Sequence, residues 1–423
     1  MYQIFKPISI SLSPNTERDD VWLAWKLIFQ PRKWKQGKAA ATEELENEFK
    51  QFNGAKYVFG FNGGRSALLA ILKSLDLEPE SEVLLQAFTC NAAVNPVLWA
   101  GLKPVYVDCD ENDFNIDIED LKRKITPKSK VVMVQHTFGL PVDMDKILEI
   151  CKQNNLILIE DCAHSLGAEF RGQRVGTFGK AAFFSFSRDK VISSVYGGIA
   201  LTNDDNLAGK IRAFQEEIGY PSGFWISQQL LHPILMNCLI LPTYSILGKY
   251  LLILFQWLHI LSKAVHWKEK RGKKPDYFPK RMPDALAVLA LNQFRKLERF
   301  NIHRKELSSF YYNELKELSS FGGFFQLPPN PPDREQIFLR FTIKHTKAQE
   351  IIKKAWQKNL LIGDWYTNPI APSDTKLEEM KYKLGTCPKA EKLARVTLNL
   401  PTHINIFLKE AKKIVDFLKK YGD

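Results

Sequence analysis

Residues 156–190 read LILIEDCAHSLGAEFRGQRVGTFGKAAFFSFSRDK. Two short apolar runs, 156–161 and 181–186, frame this stretch, and each is followed by polar residues: Asp161 after the first, Ser185 and Lys190 at and after the second. Runs this short and this continuously apolar suit strands buried on both faces. The same pattern recurs at 57–62, 82–87, 104–108, 130–135 and 199–202, mostly in β-branched or aromatic residues. Helical patterns lie between several of these, at 65–77 and 143–154, and ATEELENEFKQF at 41–52 reads as an amphipathic helix ahead of the first strand. Strand and helix in alternation predict an α/β fold with a parallel sheet covered by helices.

Farther along, the pattern changes. Residues 285–317 carry helical periodicity, with Leu286, Leu289, Leu291, Phe294, Leu297 and Phe300 on one apolar stripe. A strand at 338–344, a helix at 347–358 and a terminal helix at 407–421 complete a smaller α+β unit. The expected organisation is a large α/β domain over 1–217, an insertion over 218–275, and an interdomain helix with a small C-terminal domain over 276–423. The 423 residues are 45% hydrophobic and 25% charged, which excludes a disordered chain, a coiled coil and a multi-span membrane protein. The net charge of +12 favours anionic partners. Its cations are not interleaved with aromatics in a nucleic-acid module, so nucleic acid is not expected. The six cysteines contain no CxxC spacing, so neither a metal site nor a disulfide framework is indicated, and a reducing, cytoplasmic compartment is expected. The first twenty residues lack the apolar core of a secretory signal.

Three features carry chemistry. Asp161 ends a predicted parallel strand, at the sheet edge where α/β proteins bind ligands, although an aspartate there also caps turns. Lys190 follows another strand, where burial would make its amine nucleophilic, although a lone loop lysine is ordinarily a solvated charge. Gly63, Gly64, Arg65, Ser66 and Ala67 span a strand-to-helix turn whose N–H groups suit a phosphate; the turn matches neither GxxxxGK[ST] nor GxGxxG. Taken together, a phosphate cradle, a lysine and a strand-end carboxylate are what pyridoxal 5'-phosphate requires.

With those residues in view, the sequence resembles the DegT/DnrJ/EryC1/StrS family of pyridoxal-phosphate-dependent sugar aminotransferases. The matching stretches include FNGGRSALLAIL (61–72), EDCAHSLGAEFRGQRVGTFG (160–179), YGGIALTNDDNLA (196–208), RMPDALAVLALNQFRKLERFNIHR (281–304) and GTCPKAEKLARVTLNLPTH (385–403). They leave out little besides 218–275. The resemblance implies a fold-type-I architecture: a large domain with a mostly parallel seven-stranded sheet, a smaller C-terminal α+β domain, and a homodimer that shares its sites. It implies an amino donor, glutamate, and a keto-sugar acceptor. It also implies that Lys190 binds the cofactor aldehyde and moves the proton, and that Asp161 pairs with the pyridinium. His164 would sit near the ring hydroxyl. Gly64, Arg65 and Ser66 would cradle the phosphate with backbone N–H groups, joined by the Ser185 hydroxyl. Cys90 stands where the family has an aromatic residue on the ring face, so the alternatives are that Phe88 or another group stacks there or that the face is less covered. Pro279 and Lys280 stand where an asparagine reaches the partner's phosphate. A dehydratase on the same sugar is the enzymatic alternative, and Lys190 argues against it. A non-catalytic regulatory or membrane-associated protein is the other. His136 reads as structural; His403 is divided between packing and substrate contact.

The insertion has its own character. Residues 218–262 carry one formal charge, Lys249, and are followed by Lys263, Lys268, Lys270, Arg271, Lys273, Lys274, Lys280 and Arg281. Pro233 and Pro242 divide it into apolar halves, 226–241 and 243–261, each short of the ~20 residues that span a bilayer. Family-like stretches flank it on both sides, so a single crossing is excluded by topology. Two expectations follow: peripheral membrane contact through 226–274 at the inner face, with an acceptor on a lipid carrier rather than a nucleotide, or an apolar lid packed in the protein or dimer.

Overall fold

The computed structural model describes residues 6–35, 40–320 and 325–421. Seven strands form the main sheet: β1 (Tyr57–Phe61), β2 (Glu82–Gln86), β3 (Lys103–Val107), β4 (Ser129–Gln135), β5 (Ile157–Asp161), β6 (Ala181–Ser185) and β7 (Gly198–Thr202). Their order across the sheet is β1-β7-β6-β5-β4-β2-β3, with β7 antiparallel to both its neighbours and every other pair parallel. The register sets Gln135 and Phe183 beside Asp161, so β4 and β5 end together while β6 runs on to Ser185. Each central strand is buried along nearly its whole length, which explains why it reads as continuous apolar sequence rather than as an alternation.

Helices close both faces. α1 (Arg18–Ile28) and α2 (Ala40–Asn53) lie on the side of the buried helix α3 (Asp284–Phe294), where Ala24, Leu45, Phe49, Leu286 and Leu289 share one core with Phe184 and Ile199. The helix Gly64–Ser74 after β1 is buried in almost every residue, within the core on the other face. The single helical pattern at 285–317 is two helices, α3 and α4 (Leu297–Ser320). The break falls at Arg295 and Lys296, whose side chains pair with Glu44 and Glu48 and with Asp19 and Asp20. α1 itself has no counterpart among the expected elements.

At the C-terminal end, β8 (Arg340–Lys344) pairs antiparallel with β9 (Thr397–Pro401). Helices α5 (Ala348–Gln357) and α6 (Leu408–Leu418) cover them, and Tyr311, Phe341, Ile351, Leu400 and Ile414 form a separate core. The strand starts two residues later than expected because Phe338 has a positive φ of 49° and turns the chain into the ladder.

The insertion is a helical hairpin. Gly223–Leu235 continues into a wider π-helical turn, Met236–Ile240; after a break, a second π-helical turn, Tyr244–Gly248, leads into Lys249–Trp257. The limbs bend by 111° at the break. Pro233 does not end the first limb, contrary to the expectation: the missing N–H costs one hydrogen bond, and the helix widens into the π turn directly after it. The break comes at Pro242. A side chain at Gly248 would strike the Ile240 carbonyl, so glycine is what lets the limbs approach. Among the described residues no single helix is long and apolar enough to cross a membrane. Trp225, Ile226, Leu230 and Ile234 of the first limb belong to the main core.

Candidate active site

A cavity of about 240 Å³ opens beyond the carboxyl ends of β4, β5 and β6. Asp161 reaches it from the end of β5, Ser185 from the end of β6, and Lys190 from the turn that follows. Gly64 and Arg65 line it from the first turn of the helix after β1, and Cys90 and His164 complete the set anticipated from sequence. Ser66 lies outside the lining: its N–H bonds to the Gly63 carbonyl at 3.0 Å and its hydroxyl to Asn62 Oδ1 at 2.7 Å. The N-terminus of that helix has no side-chain cap, because Gly63 occupies the cap position. A Cβ on Gly64 would come within 3.0 Å of Ser185 Cβ, so the concavity depends on the glycine.

Burial dominates the electrostatics. It lowers the Lys190 ammonium to about 8, against the upward pull of Asp161 and Cys90, and the Arg340 cation pushes in the same direction as burial. Burial raises the Asp161 carboxyl, and the Ala163 N–H, donating to Oδ1 at 2.9 Å, and the Lys190 charge oppose it. His164 is held well below the ordinary imidazole range by burial, so its ring is neutral. Asp189 is pushed up to about 6 by burial. The Cys90 thiol is raised by burial and accepts the Ala92 N–H at 3.5 Å, capping Asn91–Trp99.

An aromatic wall that the sequence did not point to comes from the loop after β8 and α5. The Trp365 ring lies parallel to His164, centroids 5.6 Å apart, and Lys190 Nζ is 5.1 Å from the Trp365 centroid. Tyr366 faces His164 Nε2 through its hydroxyl at 3.3 Å. The Arg340 guanidinium lies over the Trp365 ring, 3.3 Å from its centroid. Phe88, by contrast, does not line the cavity; it packs on Phe114 at 5.5 Å and on Phe138 and Tyr366 in the core. The aromatic face is therefore supplied from a distant part of the chain, where the tryptophan-tyrosine pair in a loop containing Gly363 and Pro369 was the only available signal.

Ala264 and Val265, at the tail of the insertion, also line the cavity. Arg188 donates to the Ser262 carbonyl at 2.7 Å and to its hydroxyl at 2.6 Å, which ties that tail to the Lys190 turn. Glu269, which lies among the lysines and arginines of the basic run, is fully buried and pairs with Arg65 at 2.5 Å. Lys280 donates through Nζ to the Ile218 carbonyl at 2.9 Å. His136 is structural, as expected: buried, it faces Glu160 and accepts the Val142 N–H at 3.1 Å. His403 is packing rather than lining; Nε2 donates to the Ser9 carbonyl at 2.8 Å, outside the cavity.

The model of the DegT/DnrJ/EryC1/StrS aminotransferase family matches residues 21–224 and 260–419. This chain belongs to that family. The unmatched gap coincides with the apolar hairpin, so the family fold is interrupted only where the insertion stands. A GDP-perosamine synthase of Caulobacter vibrioides is 40% identical over 169 residues, 40% of this chain and 46% of that enzyme. The chain thus aligns with about half of that relative's length. A UDP-N-acetyl-3-dehydro-alpha-D-glucosamine 3-aminotransferase of Acidithiobacillus ferrooxidans is 27% identical over 377 residues, 89% of this chain and 87% of the relative. Among solved structures, NtdA of Bacillus subtilis, with bound cofactor PMP, superposes with a TM-score of 0.75 at 21% identity, covering 99% of this chain and 86% of that one. At that identity the likeness establishes the fold-type-I architecture.

Proposed function

We propose that this family member is a pyridoxal-phosphate-dependent aminotransferase that takes an amino group from glutamate and delivers it to a keto sugar, nucleotide-linked or lipid-carrier-linked. One observation carries the proposal: Lys190, with its ammonium lowered to about 8, shares a cavity with the Asp161 carboxylate and an uncapped helix N-terminus. The donor set fits the cofactor. The Gly64 and Arg65 N–H groups and the Ser185 hydroxyl suit a phosphate ester. Asp161 suits a protonated ring nitrogen, and the neutral His164 suits a ring hydroxyl. When bound, pyridoxal phosphate supplies an electron sink for the C–H bond broken beside the nitrogen. Lys190 removes that proton and returns it on the other side of the transfer, a task for which an amine titrating near neutrality is matched. Asp161 keeps the ring nitrogen charged. Trp365 and His164 exclude water from one side of the cavity. The net charge of +12 suits a diphosphate on the acceptor.

The decisive experiment is the absorption spectrum of the protein with added pyridoxal phosphate, beside Lys190→Ala. A visible band in the wild type alone, lost when glutamate is added, supports the proposal. No band in either protein removes it and leaves the regulatory alternative.

A further inference from the structure

The second limb of the hairpin has two different faces. Leu251, Leu252 and Phe255 lean on the buried Met236, Ile240, Leu241 and Leu261. That packing accounts for one side only. On the other, Ile246, Tyr250, Ile253 and Trp257 recur at helical spacing and are exposed, Trp257 by 73%. α1 repeats the pattern: Trp22, Trp25 and Phe29 are exposed, with Trp25 and Phe29 edge to face at 5.4 Å. The elements that carry the two stripes are both joined to the first limb of the hairpin. α1 packs on Gly223–Leu235, and Gln228 of that helix donates to the His259 carbonyl just beyond Trp257. Cations accompany both stripes. Lys26 lies over the Trp22 ring at 5.2 Å and Lys249 over Tyr250 at 5.5 Å, and Arg32, Lys33 and Lys263 are exposed. Between 219 and 262 the insertion has no acidic residue to answer them.

We propose that this surface docks on an anionic lipid membrane, with the tryptophans, Tyr250 and Ile253 in the interface and the lysines among the headgroups. A second copy of the chain is a poorer occupant. A two-fold contact sets a patch against itself, and for the hairpin limb that opposes lysine to lysine, since the insertion offers no carboxylate between them. The docked limb runs directly into residues 262–265, which end in the cavity wall at Ala264 and Val265, so docking sets the cavity beside the lipid surface. The proposal stands on the exposed stripes and their charges and is independent of the aminotransferase reading.

The test is co-sedimentation of the full chain with vesicles of phosphatidylcholine alone and of phosphatidylcholine mixed with phosphatidylglycerol. Binding is expected to the mixed vesicles only and to fall with added salt. Neutralising two surface cations, Lys249→Gln with Lys263→Gln, is expected to weaken partition about thirtyfold. Ile253→Ser with Trp257→Ser is expected to weaken it at every salt concentration while the melting curve stays cooperative. No binding to either vesicle overturns the proposal. So does a serine variant that binds vesicles as the wild type does but sediments at a lower mass, which would assign the stripe to a second copy.

Discussion

Lys190 and Asp161 show how burial turns ordinary residues into chemical ones. In solution the lysine would be charged and inert; in the cavity its ammonium is lowered to about 8. Capture of the pyridoxal aldehyde requires the neutral amine. The rate of appearance of the visible band should therefore rise about tenfold per unit below pH 8 and level off above it; stopped-flow absorbance across pH 6.5–9.5 measures this. A flat profile would show that Lys190 is not the capturing amine. Asp161→Asn keeps the shape of the carboxylate and removes its charge. With the ring nitrogen no longer held protonated, kcat should fall by about 10²–10³, with cofactor still bound, in a coupled assay with glutamate. Both residues could be marked as candidates in the sequence, because each follows a short apolar run, and only the glycine turn at 63–67 beside them points the set to one chemistry. Trp365 could not: it lies 175 positions from Lys190 in the sequence, and only the folded chain brings its ring to within 5.1 Å of the amine.

Elements are joined to the site by contacts that the periodicity of the chain does not reveal. Glu269 lies within the basic run that follows the apolar insertion, yet it is buried against Arg65 at the first turn of the helix after β1. Glu269→Gln leaves the guanidinium buried without a countercharge and should cost about 3–5 kcal/mol in chemical denaturation. It should weaken phosphate binding as well, since the same turn forms the cradle. Gly248 marks the contact between the hairpin limbs, where a methyl group meets the Ile240 carbonyl. Gly248→Ala should destabilise by about 1–3 kcal/mol, measured as a lowered melting temperature, because the limbs must separate to admit it. The seven strands were legible, each to within a residue or two, because burial on both faces makes them continuously apolar. α1 was not, since Trp22, Trp25 and Phe29 face outward and blur its amphipathic pattern. Nor was the break between α3 and α4, which coincides with ion pairs to distant acidic residues rather than with a local breaker.

At the scale of the whole molecule, the ends of the main-sheet strands, the loop after α5 and the tail of the inserted hairpin all contribute walls to one cavity. The family resemblance implies a shared-site homodimer, so the chain is expected to sediment at twice its own mass. A monomeric, cofactor-binding protein would instead place the whole site within one chain. The apolar hairpin is the feature that separates this chain from the family pattern around it, and its inner face is already accounted for by Met236, Ile240 and Leu241.

The α/β class, the seven strands, the lysine and the strand-end carboxylate all follow from local pattern, because strand burial and strand ends leave a short-range signature in residue type. The position of Trp365 over the site, the pairing of Arg65 with Glu269, the packing of Phe88 in the core and the division of the insertion into a buried and an exposed face do not. Each depends on contacts between segments far apart in the chain, and such contacts are set by how whole elements pack, for which no window of residues carries a periodic trace.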